Sequence, residues 1–449
     1  MGALKEIRTS GQDEEHLHDA SSSSHDAAND IYRIKLHTNR YEGYMKHAFI
    51  LNPEHGTNIA LMGSASMHQL DAQYGNKFYD VNEKNAYGSL MFETNFTPQH
   101  NLSVGLSINH DYLGQHTDAN VYAKVLESTN YLWDTMQKLT EKETTSGAYA
   151  QYTYTLGTQL TAMAGVRLDH SSLYGNFFTP RFHVKYSPID PISIRLSAGK
   201  GYRTVFALAE YNYLLASGRN LWIGNDLKQE EAWNYGVSTA FYIPLFGKTL
   251  KLNAEYYYTD FRNQAVVDYD YRSDRIAIYN LREGHGKSYS HTFQVDASYP
   301  ILTGLELTAA YRLNDVKTSY KYGEELMDKP LTSKYKALFT ASYKTPLGLW
   351  QVDATCQLNG GGRNPEPYQL SDGSMAWERR FHSYEQVSMQ ITRWFRHWSI
   401  YVGGENLTNF KQKTPIYGAS NPWGKDFEPT LVWGPVEGRM FYAGVRVKM

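Results

Sequence analysis

The chain has 449 residues, a formal net charge of −2 and a pI near 6.8, which removes the electrostatic case for nucleic-acid binding. Only 41% of its residues are hydrophobic and the mean hydropathy is −0.55, yet aromatics reach 14%, too many for a disordered chain. A single Cys, Cys356, excludes an intrachain disulfide framework, and no run approaches the ~18 consecutive apolar residues of a transmembrane helix. A transmembrane β-barrel stays open, because its strands are apolar only at alternate positions.

Residues 1–29 differ from the rest. The stretch GQDEEHLHDASSSSHDAAND is acidic, Ser-rich and nearly free of large apolar side chains, so it reads as a mobile tail or loop. It has no basic segment followed by an apolar one, hence no signal peptide. His16, His18 and His25, interleaved with Asp13, Glu14, Glu15, Asp19 and Asp26, offer ligands suited to zinc, copper or nickel, although the loose spacing also fits a solvated acidic loop.

From Ile31 to the end, residues 30–449 read as one unit whose dominant period is two. Leu250, Leu252, Ala254, Tyr256 and Tyr258 alternate with Lys251, Asn253, Glu255, Tyr257 and Thr259; Ile192, Ile194, Leu196 and Ala198 alternate with Ser193, Arg195 and Ser197. The same pattern runs through 102–109, 160–169, 305–314, 350–359 and 441–449, predicting strands with one apolar and one polar face. Tight turns are expected at 52–56, 97–100, 155–158, 187–191, 243–248, 300–304, 345–348 and 396–398. Longer polar links are expected at 115–144, 203–228, 263–284, 317–331, 360–380 and 411–437. Alternating short turns and long loops along antiparallel strands is the rhythm of outer-membrane barrels, with about seventeen strands. Tyr256, Tyr257, Tyr258, Trp350, Trp394, Phe395 and Trp398 are the expected interfacial girdle residues. The fold class is therefore all-β: an antiparallel transmembrane β-barrel with long extracellular loops.

Four segments, in order, resemble the C-terminal barrel of TonB-dependent outer-membrane receptors. Thr179–Pro188 (TPRFHVKYSP), followed by Ile194–Thr204 (IRLSAGKGYRT), is similar to that family's paired strands. Asn225–Gly236 (NDLKQEEAWNYG) resembles the stretch entering the next strand. Gly404–Asn409 (GENLTN) and Gly438–Met449 (GRMFYAGVRVKM) resemble the closing segments. The details look most like receptors from Bacteroidetes. Asn225-Asp226 replaces an Asn-Pro, and Val205 stands where Pro is common.

The resemblance implies a 22-stranded barrel around a plug. The chain therefore reads as a C-terminal portion, with the plug, a TonB box and about five strands lying upstream. It implies active uptake of a scarce nutrient, an iron–siderophore complex first, energised by the TonB complex through the plug and carried out in outer-membrane lipid of a Gram-negative bacterium. A transition-metal ion, cobalamin or haem, or passive flow through a plugless porin, are the alternatives. The 204–223 segment contains no His, which argues against haem. Loop aromatics and arginines are typical binding anchors, so ligand contacts are expected at Arg203, Tyr211, Tyr213, Arg219, Trp222, Tyr368, Trp377 and Trp423, with packing of loop against loop as the competing reading. Gly199-Lys200-Gly201 opens no phosphate loop, no Ser/His/Asp or paired-carboxylate arrangement stands out, and neither an enzyme nor a bound cofactor is expected.

Overall fold

The computed structural model describes residues 31–119, 121–125, 129–132, 139–224, 227–282, 285–370 and 372–448; the 1–29 segment, with His16, His18 and His25, lies outside them. Seventeen long strands form one antiparallel sheet. They are β1 (Ile34–Asn52), β2 (Thr57–Tyr74), β3 (Lys77–Thr97), β4 (His100–Thr117), β5 (Leu139–Leu156), β6 (Leu160–Ser171), β7 (Gly175–Ile189), β8 (Ile192–Arg203) and β9 (Glu230–Leu245). They continue as β10 (Lys248–Asn263), β11 (Ser288–Leu302), β12 (Leu305–Tyr320), β13 (Tyr335–Lys344), β14 (Trp350–Asn359), β15 (Tyr384–Trp394), β16 (Trp398–Glu405) and β17 (Met440–Val447). Each pairs with its sequence neighbour, and a short strand, Glu325–Asp328, adds to the upper end of β12.

Strand reversals at one end fall at all eight tight turns expected from the sequence. At the other end the long links emerge. Two tight hairpins also occur there, at Tyr74–Lys77 and Ser171–Gly175, which the sequence reading does not name. Gly75 and Gly175 adopt φ of +65° and +79° in them, the left-handed region open to Gly.

Hydrogen-bonded register places every second residue on a shared face. One face carries Leu196, Val184, Val237, Tyr256, Phe293, Leu313, Ile391, Val402 and Val445 in adjoining positions. Leu196, Phe293, Leu313, Val402 and Val445 on it are exposed. The opposite face is polar and internally bonded. Arg167 grips Asp169 at 2.6 Å and donates to Ser107, Ser342 donates to Asp353, and Tyr442 donates to Gln390. Apolar outside and polar inside is the reverse of a water-soluble barrel and matches a lipid-facing wall around an aqueous lumen. On β2 the outward apolar run is Ile59–Leu61–Gly63–Ala65–Met67, matching the ~9–11 residues a tilted strand needs to cross the hydrocarbon. Above it Gln69 and Asp71 take over, so β2–β5 rise beyond the membrane level. Among the described residues no helix is long and apolar enough to cross a membrane, which says nothing about strands.

Two aromatic belts flank the apolar band. The upper one stacks Trp233, Tyr235, Tyr258 and His291 with successive ring centroids 6.0, 6.4 and 4.7 Å apart. The lower one, beside the tight turns, includes Phe395 stacked on Trp398 at 4.0 Å, with Arg393 lying 4.9 Å from the Trp350 ring. Two of the expected girdle residues belong elsewhere. Tyr257 faces inward, where a side chain on Gly236 would strike its ring, and Trp394 shares the inner face of Thr392 and Tyr401. Alternation places neighbours of a girdle residue on the opposite face, so a run of three tyrosines cannot all reach lipid.

No ladder joins β1 to β17 among the described residues, so the sheet has two free edges. The two hydrophobic cores take from the wall only strand ends, Ala72, Tyr74, Tyr79, Val81 and Leu113 in one and Tyr320 in the other. Both sit at the loop end.

Candidate functional site: the loop crown

The long loops fold into a second sheet of five short strands, ordered 265–272, 275–280, 220–224, 121–125 and 129–132. The central three run parallel to one another although they come from three different loops. AVVDY and RIAIYN are apolar on both faces, as a strand covered on both sides requires. Ile276, Ala277, Ile278 and Tyr279 are accordingly buried. A short helix, Ala207–Tyr211, and a 3-10 turn, Asn212–Ala216, reach to the Tyr74–Lys77 hairpin, where Lys77 Nζ donates to the carbonyls of Leu215 and Ser217 at 2.9 and 2.8 Å.

Four loops meet at Arg219. Its guanidinium donates from Nε and Nη2 to Glu428 Oε2 at 3.0 and 2.7 Å and from Nη1 to the Tyr269 carbonyl at 3.0 Å. The rings of Tyr269 and Trp377 each lie 5.6 Å from it. Ser217 and Thr430 hydroxyls donate to the two Glu428 oxygens, completing the carboxylate's partners. Both charged side chains are almost fully buried, at 2% and 1% exposure, so the pair is dry and paired rather than a surface contact. Beside it Gly218 passes so close to the 424–425 backbone that a Cβ would lie 2.2 Å from the Gly424 oxygen.

A second clamp holds the 320–325 hairpin. Lys321 and Tyr322 adopt φ of +53° and +58°, a costly conformation for residues other than Gly. It is held because the Tyr322 N–H donates to Asp268 Oδ2 and to the Tyr279 hydroxyl, which itself donates to Asp268 at 2.7 Å. Burial raises the Asp268 carboxyl above its ordinary range; the Tyr279 bond opposes this and neighbouring Asp270 reinforces it. A raised folded-state pKa means that this group's contribution is complete below the ordinary carboxylate value and is lost as pH rises through the folded one. Asp268→Asn, which stays neutral but sets an amide NH2 against one of the N–H donors of Asp270 and Tyr322, should therefore expose the amides of 265–280 to hydrogen exchange relative to wild type less at pH 7 than at pH 4. An equal difference at both pH values overturns this. Asp270 is neutralised by Arg363 at 2.8 Å, whose Nε donates to the Asp328 carbonyl.

The expected ligand contacts divide. Arg219, Trp222 and Trp377 are buried within the crown, where they join loops to one another. Tyr368 is half-buried and donates to Asp426 at 3.3 Å, and its hydroxyl pKa is pushed up to about 12 by burial and then by that carboxylate. Arg203 bridges Glu210 and Glu230 at the base of its loop. Tyr213 and Trp423 stay open at 44% and 38% exposure, Tyr213 beside the half-buried Tyr211 ring and Trp423 against Tyr32. Sequence reasoning missed Glu428, Asp268 and Tyr322. No local pattern marks them, although the apolar AVVDY run carries the signal of a buried loop strand. Among the described residues no group of three or more His, Cys, Asp or Glu side chains is placed to hold a metal ion.

A polar lumen inside a lipid-facing wall, roofed at one end by interlocked loops, defines a barrel receptor of the outer-membrane type. The family model described as TonB dependent receptor-like, beta-barrel matches residues 8–407, and the chain belongs to that family. Family members are outer-membrane barrels and transport receptors rather than enzymes. Among solved structures the chain is similar to the copper transporter OprC (TM-score 0.66, 13% identity, covering 91% of this chain and 64% of that one). It is also similar to the ferric citrate transporter FecA in its unliganded form (0.62, 13%, 91% and 61%). A third is the siderophore receptor PirA from Pseudomonas aeruginosa (0.59, 10%, 92% and 64%). At these identities the likeness is one of fold, and the chain spans less than two thirds of each. No curated protein matches in sequence.

Proposed function

We propose that the chain forms the barrel wall and crown of an outer-membrane uptake receptor that captures a scarce nutrient, an iron–siderophore complex first, and imports it with TonB-supplied energy acting through a plug. The observation that carries this reading is the crown. Its loops are tied together over a polar lumen yet leave Arg203, Tyr213 and Trp423 on open surface beside the half-buried Tyr211, a set of aromatic rings and a Glu-paired guanidinium able to pack against a bulky chelate. Tyr368, half-buried at the rim, is the fifth contact; Arg219, Trp222 and Trp377 act by holding the loops. A second reading, uptake of a transition-metal ion, draws on His16, His18 and His25 and on the fold likeness to a copper transporter.

The test is transport by the full receptor containing this chain, expressed in a host lacking its own siderophore receptors. Radiolabelled ferric-siderophore uptake should depend on TonB and fall at least tenfold in Tyr213→Ala/Trp423→Ala. Copper accumulation without ferric-chelate uptake selects the second reading. Uptake indifferent to TonB overturns both in favour of a passive pore.

A further inference from the structure

The outer wall of β3, β4 and β5 changes character in ordered rows. Leu90–Leu106–Ala148 and Gly88–Ile108–Ser146 lie in the apolar band, and Ala86–His110–Thr144 marks its edge. Next come Lys84–Tyr112–Lys142, then Asn82–Gly114–Thr140, then Asp80–His116. Successive rows on one face are two residues apart, about 7 Å along the strand. From the Leu90 row to the Asn82 row the wall therefore grades from apolar to cationic to neutral polar over about 27 Å.

The cationic row is built. Lys84 and Lys142 lie on either side of Tyr112, with their ammonium nitrogens 5.7 and 5.6 Å from the ring centroid. Both lysines are exposed, and among the described residues neither has a carboxylate within ion-pair distance. On the far wall the corresponding cations are neutralised: Lys200 by Glu231 at 2.9 Å, Arg262 by Asp260 at 3.0 Å and Lys317 by Asp315 at 3.9 Å. The row above is notched. Gly114 adds no side chain between Asn82 and Thr140, so the Tyr112 ring leans over it, its hydroxyl 3.1 Å from where a Cβ would stand, and beside the ring lies an opening of about 350 Å³ lined by Gln69, Asp71, Asp80, Asn82, His116 and Thr140. Among the described residues Asn82 Oδ1, buried behind this opening, has no hydrogen-bond partner.

Unpaired ammonium groups at the headgroup level attract phosphate. Amide and carboxylate groups around a notch edged by an aromatic ring suit the vicinal hydroxyls and the apolar face of a sugar. An amphiphile that presents acyl chains, then phosphate, then sugar along the membrane normal fits all three levels at once. We propose that this wall docks a phosphorylated glycolipid of the outer leaflet. Its acyl chains lie on Leu90, Leu106 and Ile108, its phosphate between Lys84 and Lys142, and its first sugar in the Gly114 notch. The assignment rests on the membrane-spanning reading of the wall and is independent of what the protein imports.

The test uses the full receptor containing this chain, purified in detergent, with far-UV circular dichroism confirming β content for each variant. The probes are a diphosphorylated glycolipid carrying inner-core sugars, the same lipid after phosphatase treatment, and its deacylated water-soluble saccharide. Retention is read by native mass spectrometry and titration. The intact glycolipid should bind wild type, with Lys84→Gln/Lys142→Gln weakening it at least tenfold and Lys84→Arg/Lys142→Arg restoring it. The dephosphorylated lipid should bind more weakly and be indifferent to the Gln pair. Gly114→Val, which fills the notch, should weaken both lipids. Equal binding of phosphorylated and dephosphorylated lipid, equal binding of the deacylated saccharide, or a folded Gln pair that binds like wild type each overturns the proposal.

Discussion

Glu428→Ala is expected to unlock the crown while leaving the barrel wall intact. The substitution strands the Arg219 guanidinium in a site with 2% exposure and removes the acceptor for the Ser217 and Thr430 hydroxyls. Breaking a buried ion pair from one side costs about 3–5 kcal/mol, because the surviving charge keeps its desolvation penalty without its partner. Local opening should therefore rise by about two to four orders of magnitude. Limited proteolysis should cut within 203–230 and 405–440 far faster than in wild type, with β content unchanged by circular dichroism. Arg219→Met/Glu428→Leu, which removes both charges and keeps apolar bulk, should recover much of the protection. Gly218→Ala should reach the same state by another route, since its Cβ has only 2.2 Å to the Gly424 oxygen. Wild-type cleavage rates in Glu428→Ala would mean that the loops are held by the apolar core around Leu214 and Leu431 and not by the pair.

The contrast between wall and crown explains how much of this protein its sequence discloses. Leu250, Leu252, Ala254, Tyr256 and Tyr258 alternate with polar residues because one side of each strand meets lipid and the other meets water, and a period of two is visible in a single chain. The tight turns are equally visible, since a short reversal needs Gly, Pro or Asn at fixed places. Arg219 and Glu428 are 209 residues apart, and nothing in either neighbourhood indicates the other. Large aromatic and guanidinium side chains in loops can be recognised as energetic anchors, but whether the partner is a ligand or another loop depends on the fold. For Trp222 and Trp377 the partner is another loop, and for Tyr213 and Trp423 a face stays open. Tyr257 shows the same limit at smaller scale: chemistry alone assigned it to the girdle, and the phase of its strand turns it inward.

No unit conductance is expected from this 449-residue chain reconstituted alone in planar bilayers. Every ladder in the wall is antiparallel, and seventeen long strands reverse direction sixteen times, so β1 and β17 run the same way, both from the loop end toward the tight turns. They cannot close the wall on each other by the antiparallel pairing used everywhere else; that closure takes an odd number of strands from outside the described residues. Left open, β1 exposes a row of unpaired N–H and C=O groups along Ile34–Asn52, and each such group in hydrocarbon costs several kcal/mol. The apolar residues Tyr41, Met45 and Phe49 on its outward face are at membrane level, so water cannot serve those backbone groups there. Reconstituted chain should give irregular leak or none. A longer chain that supplies the missing odd number of strands should insert as a stable species that resists unfolding in detergent on gels. A fixed and reproducible current step from the 449-residue chain would show that the wall closes within this chain, by a parallel meeting of β1 and β17 or through residues outside the described ones.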